Sequence, residues 1–308
     1  MSNVVKRFDD VTALDGVSFS VEPGEIFGLV GPDGAGKTTV MRLLAAIMLP
    51  TAGEVRVLGR DTRHDPAKIQ DDIAYMSQRF GLYPDLSVEE NIQFYADLYG
   101  EAKKGREERI QRLLDFSNMG PFRKRRAGKL SGGMKQKLGL ACALIHSPRV
   151  LLLDEPTNGV DPVSRRDFWR ILNQLLAQGV TIVVTTAYLD EAERCSRLAM
   201  MHKGKIVALD TPEGMKRLLD GVVIEVRSND SRRAAAILRE RFGTSSVVLF
   251  GDRVNVVAPA AADATRAIET DLRDADLTLD EVRVVDPTLE NVFVTLLGDD
   301  PKAREEAR

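Results

Sequence analysis

The stretch Gly31-Pro32-Asp33-Gly34-Ala35-Gly36-Lys37-Thr38-Thr39 decides how the rest of this chain is read. It fits the pattern G-x-x-x-x-G-K-[ST], and its setting carries more weight than the match. Ile26-Phe27-Gly28-Leu29-Val30 precedes it, a short apolar run that reads as a buried strand. Val40, Met41, Leu43, Leu44, Ile47 and Met48 follow at helical spacing until Pro50 stops them. Strand, glycine loop and helix in that order make a phosphate-binding loop. Glycines let several backbone N–H groups converge on one anion, and the helix N-terminus adds the positive end of its dipole. Lys37 is expected to reach the outer phosphates of a nucleotide, and the Thr38 hydroxyl to complete the shell of a Mg²⁺ ion.

Composition bounds what surrounds this loop. A chain of 308 residues is comfortable for two domains. Charged residues at 29% and hydrophobic ones at 44% describe an ordinary globular protein. A net charge of −3 gives no electrostatic reason to expect nucleic acid as a partner. Cys142 and Cys195 each fall inside an apolar helical pattern and read as core residues in a reducing compartment. His64, His146 and His202 show no ligand spacing. No apolar run approaches the ~18 residues that a membrane span needs, so service to a membrane would require docking to a separate subunit.

Upstream of the loop, Val17-Ser18-Phe19-Ser20-Val21 alternates as a half-buried strand. Phe8 is a candidate platform for an adenine ring, although a lone aromatic is more often a core residue. Downstream, Ile73 to Gln78 reads as a strand ending in a glutamine, whose carbonyl could bind Mg²⁺. Tyr83, Phe94, Tyr95 and Tyr99 read as the core of a small helical subdomain. Residues 101–129 give a charged amphipathic helix and then Arg123-Lys124-Arg125-Arg126, a run that reads as a solvated face.

Leu130-Ser131-Gly132-Gly133-Met134 opens another helix, and small residues with a hydroxyl at a helix start form a second anion site. Val150-Leu151-Leu152-Leu153 suits a strand buried on both faces. Asp154 and Glu155 then project at its C-terminal end, where ligands of open α/β sheets bind. Asp154 would hold Mg²⁺ through water, and Glu155 would orient or deprotonate an attacking water. Asp161 caps a helix with Pro162 at its first position, and Gly179 closes it. Val180 to Val184 is the next strand, and Asp190 to Arg197 the next helix.

Beyond residue 220 the pattern becomes β-α-β-β-α-β, with a hairpin around Gly251-Asp252, which suggests a ferredoxin-like domain. Asp286-Pro287 precedes a last helix carrying Leu289, Val292, Phe293 and Leu296 on one face. The expected division is a cassette over residues 1–220, a small α+β regulatory or assembly domain over 221–298 and a disordered tail over 299–308.

Four motifs stand in the order found in the ATP-binding subunits of ABC transporters, which residues 4–220 resemble. Gly31 to Thr39 is similar to Walker A, Gln78 to the Q-loop, Leu130 to Met134 to the signature, and Leu151 to Glu155 to Walker B. Gly159-Val160-Asp161 looks like the D-loop. Phe80 to Leu86 and the tail Pro287 to Phe293 resemble the ABC-2 type, daunorubicin-resistance-like exporters. The resemblance implies a P-loop NTPase fold with a mixed sheet and a helical subdomain, using ATP and Mg²⁺. It implies nucleotide contacts from Phe8, Gly31, Asp33, Gly34, Ala35, Gly36, Lys37, Thr38 and Thr39, and across a head-to-tail dimer from Ser131, Gly132, Gly133 and Asp161. Metal contacts fall to Thr38, Gln78 and Asp154, and catalysis to Glu155, Gln78 and Lys37. The implied partners are an ABC-2 type permease, gripped by the segment after Gln78, and a second cassette, at the cytoplasmic face of the membrane.

This sequence departs from the family in places. Asp33 stands where asparagine is usual, Met134 where glutamine is commoner, and Ala187 at the position of the switch histidine. The first strand is short, which points to a start codon upstream. Ala187 raises the alternative of a cassette that binds ATP beside an active partner, against which Glu155 is intact. A soluble ABC protein acting on DNA or ribosomes is the third class, and it usually joins two cassettes or carries long insertions.

Overall fold

The computed structural model describes residues 1–78 and 81–297. The apolar run before the glycine loop forms the strand Ile26–Val30, every residue of it buried. It lies within a six-stranded sheet of order Lys205–Asp210, Arg197–His202, Ile26–Val30, Thr181–Thr186, Val150–Asp154 and Ile73–Met76. The first pair is antiparallel and all the others are parallel. A strand buried on both faces needs apolar residues in succession, and alternate ones serve opposite layers. Phe27, Leu29, Leu152 and Val183 pack with Val40 and Leu43 of the helix Lys37–Leu44. Ile26, Leu151, Leu153 and Val184 pack with Phe168, Trp169 and Leu172 of the helix Pro162–Ala177.

The parallel register sets Val30 beside Thr186, Asp154 beside Thr185 and Met76 beside Leu153. The loops leaving these strands therefore share one edge of the sheet, the place where open α/β sheets bind ligands.

A smaller antiparallel sheet joins Val11–Val17, Ser2–Phe8 and Ala52–Glu54. The strand expected over residues 17–21 ends instead at Val17. Phe19 still turns inward and stacks on Phe27 with ring centroids 5.2 Å apart, so the alternation there records burial without a ladder. The expected helix from Asp190 to Arg197 is also cut short. Only Leu189–Ala192 is helical, because Arg197 must already enter the sheet as Arg197–His202.

Val88–Leu98, Arg106–Phe116 and Gly132–Ala143 form the helical subdomain around Ile92, Leu114 and Leu138. Ser87 and Glu90 close a capping box on the first of these helices. The aromatics expected in its core divide. Tyr95 packs against the core and donates to the Gly81 carbonyl at 2.9 Å, whereas Tyr83, Phe94 and Tyr99 are 44%, 37% and 38% exposed. Of the basic run, Lys124, Arg125 and Arg126 are exposed as expected, while Arg123 is half-buried and ion-paired with Glu89 and Glu107.

Val222–Ser228, Ser231–Phe242, Val247–Phe250, Arg253–Ala258, Ala261–Asp274 and Leu279–Val285 follow in β-α-β-β-α-β order. Their strands lie in the order Val247–Phe250, Arg253–Ala258, Val222–Ser228, Leu279–Val285, each antiparallel to its neighbour, which is the ferredoxin-like arrangement. Both helices cover one face, through Ala234, Leu238, Ile268 and Leu272. The last helix, Leu289–Leu297, fills a seam between the two large sheets: Leu289, Val292 and Phe293 pack with Val223 and Val257 on one side and with Val30, Leu198 and Met200 on the other. Phe80 and the tail at 299–308 lie outside the described residues.

Candidate nucleotide site

The glycine loop owes its shape to backbone freedom and close approach. Gly34 and Gly36 take φ values of 77° and 102°, in the left-handed region. A Cβ on Gly31 would stand 2.2 Å from the Met201 carbonyl oxygen, so the loop is wedged against the neighbouring strand. Ala35, Thr38 and Thr39 complete the turn into the helix Lys37–Leu44. The opening N–H groups of that helix have no intrahelical partner and are available to an anion.

Lys37 is 4% exposed. Its Nζ donates to the Gly31 and Pro32 carbonyls at 2.7 and 3.0 Å, and it lies 3.2 Å from Glu155 Oε1. A dry ammonium is tolerable only when ringed by oxygens in this way. Glu155 has a positive φ of 48°, uncommon outside glycine, and its amide donates to Thr185 Oγ1 at 2.8 Å. Gln78 Nε2 and Asn158 Nδ2 donate to Glu155 Oε2 at 3.0 and 3.3 Å.

Asp154 is buried beside this pair. Its Oδ1 accepts from Thr38 Oγ1 at 3.2 Å and from Thr185 Oγ1 at 2.7 Å. Its Oδ2 accepts from the Tyr75 hydroxyl at 3.3 Å. Burial first, and the Asp154 charge second, push the Tyr75 phenol up to about 12, so it stays a donor at neutral pH. Thr185, Tyr75 and Asn158 were not foreseen as site residues. The available signal was polarity, since Tyr75 interrupts an otherwise apolar strand and Thr185 is a buried hydroxyl directly after three apolar residues.

Lys37, Thr38, Gln78, Asp154 and Glu155 are thus drawn into one contact network from segments far apart in sequence. Thr38, Asp154 and Gln78 offer oxygen donors alone, which suits Mg²⁺, an ion content with few protein ligands when phosphates supply the rest. Among the described residues no group of three His, Cys, Asp or Glu is arranged to hold a metal unaided. Asp33, Glu155, Asn158, Ala187 and Tyr188 line a cavity of about 140 Å³. Two departures from the family pattern, Asp33 and Ala187, therefore border one space.

The remaining expected residues lie elsewhere. Phe8 ends its strand on the small sheet, 41% exposed, with Lys6 Nζ 4.8 Å from the ring centroid. Ser131 caps the helix Gly132–Ala143 and accepts from the Met134 amide at 3.3 Å. A Cβ on Gly133 would come within 2.4 Å of Ser164 Cβ, and one on Gly132 within 3.7 Å of the Gly159 carbonyl. Asp161 caps the helix that carries Ser164, accepting from the Ser164 amide at 2.9 Å, and that bond holds its carboxyl below the usual range. The signature and the D-loop are one joined surface. Burial pushes both cysteine thiols well above their ordinary range, which leaves them inert.

Comparison with known proteins places this arrangement. The ABC transporter family profile matches residues 14–158. The probable multidrug ABC transporter ATP-binding protein YbhF of Escherichia coli (strain K12) is 38% identical over 304 residues, covering 97% of this chain and 52% of that protein, so the chain spans about half the length of that relative. The daunorubicin resistance ATP-binding protein DrrA2 of Streptomyces coeruleorubidus is 32% identical, with 98% and 96% covered. The Nod factor export ATP-binding protein I of Burkholderia pseudomallei (strain 1710b) is 39% identical, with 80% and 83% covered. Among solved structures, an ATP-binding subunit of an ABC transporter superposes with a TM-score of 0.63 at 28% identity, covering 70% of this chain and 91% of that one. A dimeric cassette in a post-hydrolysis state bound to ADP and Pi gives 0.62 at 26%, with 68% and 97% covered. By its fold, its motifs and these relatives, the chain belongs to the family of ABC transporter ATP-binding proteins.

Proposed function

We propose that the chain binds and hydrolyses ATP to energise an ABC-2 type exporter, from the cytoplasmic face of the membrane. The observation that carries this reading is the single network joining Lys37, Thr38, Gln78, Asp154 and Glu155 at one edge of the sheet. Lys37 and the loop amides would hold the β- and γ-phosphates, with Phe8 stacking on the adenine. Thr38, Asp154 and Gln78 would hold Mg²⁺, which neutralises phosphate charge when bound. Glu155, drawn off Lys37 by competing phosphate oxygens, would take a proton from the water that attacks the γ-phosphorus. The bond to the β,γ-bridging oxygen then breaks, leaving ADP and phosphate.

The joined surface of Ser131 to Gly133 and Asp161, a capped helix N-terminus with small residues, would meet the nucleotide held on a second cassette. Among the described residues no helix is long and apolar enough to cross a membrane, and the span would come from a permease. Its docking surface would include the exposed pair Tyr83 and Phe94, whose ring centroids lie 4.5 Å apart. Relatives named for multidrug, daunorubicin-resistance and Nod factor proteins favour export as the direction. Residues 221–298 act as a second, regulatory or assembly domain.

The test is titration of the full chain with Mg²⁺-ATP. Lys37→Ala should weaken binding by about 10²-fold or more, because it deletes the buried cation facing the phosphates. Equal affinity in wild type and variant would overturn the site assignment.

A further inference from the structure

Glu191 is a buried carboxylate with no part in the chemistry above. Its side chain is 2% exposed, yet both oxygens are occupied. Oε1 accepts from Thr157 Oγ1 at 2.6 Å and from Arg165 Nε at 2.9 Å, and Oε2 from Thr186 Oγ1 at 2.8 Å.

The three donors come from three separate working parts. Thr157 lies just beyond Glu155 on the same loop. Arg165 stands in the first turn of the helix capped by Asp161. Thr186 ends the strand beside Ile26–Val30, and its carbonyl accepts from the Gly31 amide at 3.4 Å. Two more contacts close the unit. The Tyr188 amide donates to Thr186 Oγ1 at 3.0 Å, and the Arg165 guanidinium lies 4.2 Å from the Tyr188 ring centroid.

Burial of a charged pair is a poor way to gain stability, since apolar residues of similar volume often serve as well or better. What charge-assisted hydrogen bonds do supply is fixed geometry between the groups they join. Geometry matters most where Ala187 offers no side chain to tie its own segment to the site.

We propose that Glu191 is a positioning residue for hydrolysis. It locks the Glu155 loop, the segment at Ala187 and the helix behind Asp161 into one body. A second cassette pressing on Asp161 is then felt at Glu155 through Arg165, Glu191 and Thr157. This inference rests on the reading of the site as an ATPase.

Two sets of variants of the full chain test it, with kcat, KM for Mg²⁺-ATP and melting temperature measured for each. Arg165→Met/Glu191→Met replaces the pair with apolar volume. Thr157→Val/Thr186→Val removes two donors without changing shape, and Thr157→Ser/Thr186→Ser keeps them. The methionine and valine pairs should lose at least about tenfold in kcat, with KM held within about threefold, because a misplaced group costs rate more than ground-state binding. The serine pair should retain wild-type kcat. Should the methionine pair fail to fold, the valine–serine contrast decides alone. A methionine pair that melts near wild type and keeps full kcat would overturn the positioning role while leaving the ATPase reading intact. So would a valine pair and a serine pair with equal kcat. Wild type that neither binds nor hydrolyses ATP would overturn both.

Discussion

Ala187, at the position where the family resemblance places a histidine, borders a cavity of about 140 Å³ shared with Asp33 and Glu155. A preorganised donor aimed at developing phosphoryl charge is typically worth about 10²–10³ in rate. Ala187→His should therefore raise kcat by at least about tenfold, with little change in ATP affinity, since on the proposed reading Lys37 and the loop would make the ground-state contacts. Steady-state phosphate release measures it, and identical turnover in both proteins would mean that another group already supplies the donor. At this scale the sequence is most legible where chemistry is local. Gly31 to Thr39 declares itself because one loop contains all of its parts. Glu191 does not, because Thr157, Arg165 and Thr186 reach it only through the parallel register of separate strands. Tyr75 and Thr185 stayed hidden for the same reason, each facing Asp154 from a neighbouring strand.

Elements were legible where period and caps agreed. The helix Pro162–Ala177 begins at Asp161 and closes near Gly179 as expected, because the cap and the glycine are both specified locally. Leu189–Ala192 ended early because pairing beside Ile26–Val30 overrode a helical pattern that had no competing stop signal. His146 shows what such junctions hold. Its ring stacks on Tyr99 at 3.9 Å between centroids, and Nε2 lies 2.9 Å from the Ile73 carbonyl, joining the helical subdomain to the start of the strand that leads to Gln78. Since a carbonyl can only accept, Nε2 carries the proton, and among the described residues the buried Nδ1 has no hydrogen-bond partner. Burial accordingly lowers the His146 pKa, against smaller opposing effects from the Ile73 bond, Glu101 and Asp71. The unfolded histidine takes up a proton first as pH falls, so stability is intact above about pH 6.5 and declines below it, toward the depressed native value. Melting temperature should thus drop more steeply in wild type than in His146→Gln between about pH 7.5 and 5.5. Parallel slopes would show that other groups govern the transition.

At the scale of the molecule, the chain presents its phosphate loop and its signature on separate bodies, a sheet and a helical subdomain. The Gly133–Ser164 approach fixes the signature against the D-loop. The C-terminal sheet was legible from its β-α-β-β-α-β order, but the placement of Leu289–Leu297 was not. An amphipathic stripe says that a helix is buried, and only the fold says against what; here Phe293 shares a core with Val30, the residue that enters the phosphate loop. We propose that ATP held by Lys37 of one copy is completed by Ser131 to Gly133 of another. Glu155→Gln should bind ATP yet release no phosphate, because the amide cannot accept the water's proton. Light scattering of that variant, with and without saturating Mg²⁺-ATP, is the most direct measurement. The expected mass is that of one chain without nucleotide and of two chains with it. A single-chain mass with ATP demonstrably bound would contradict it.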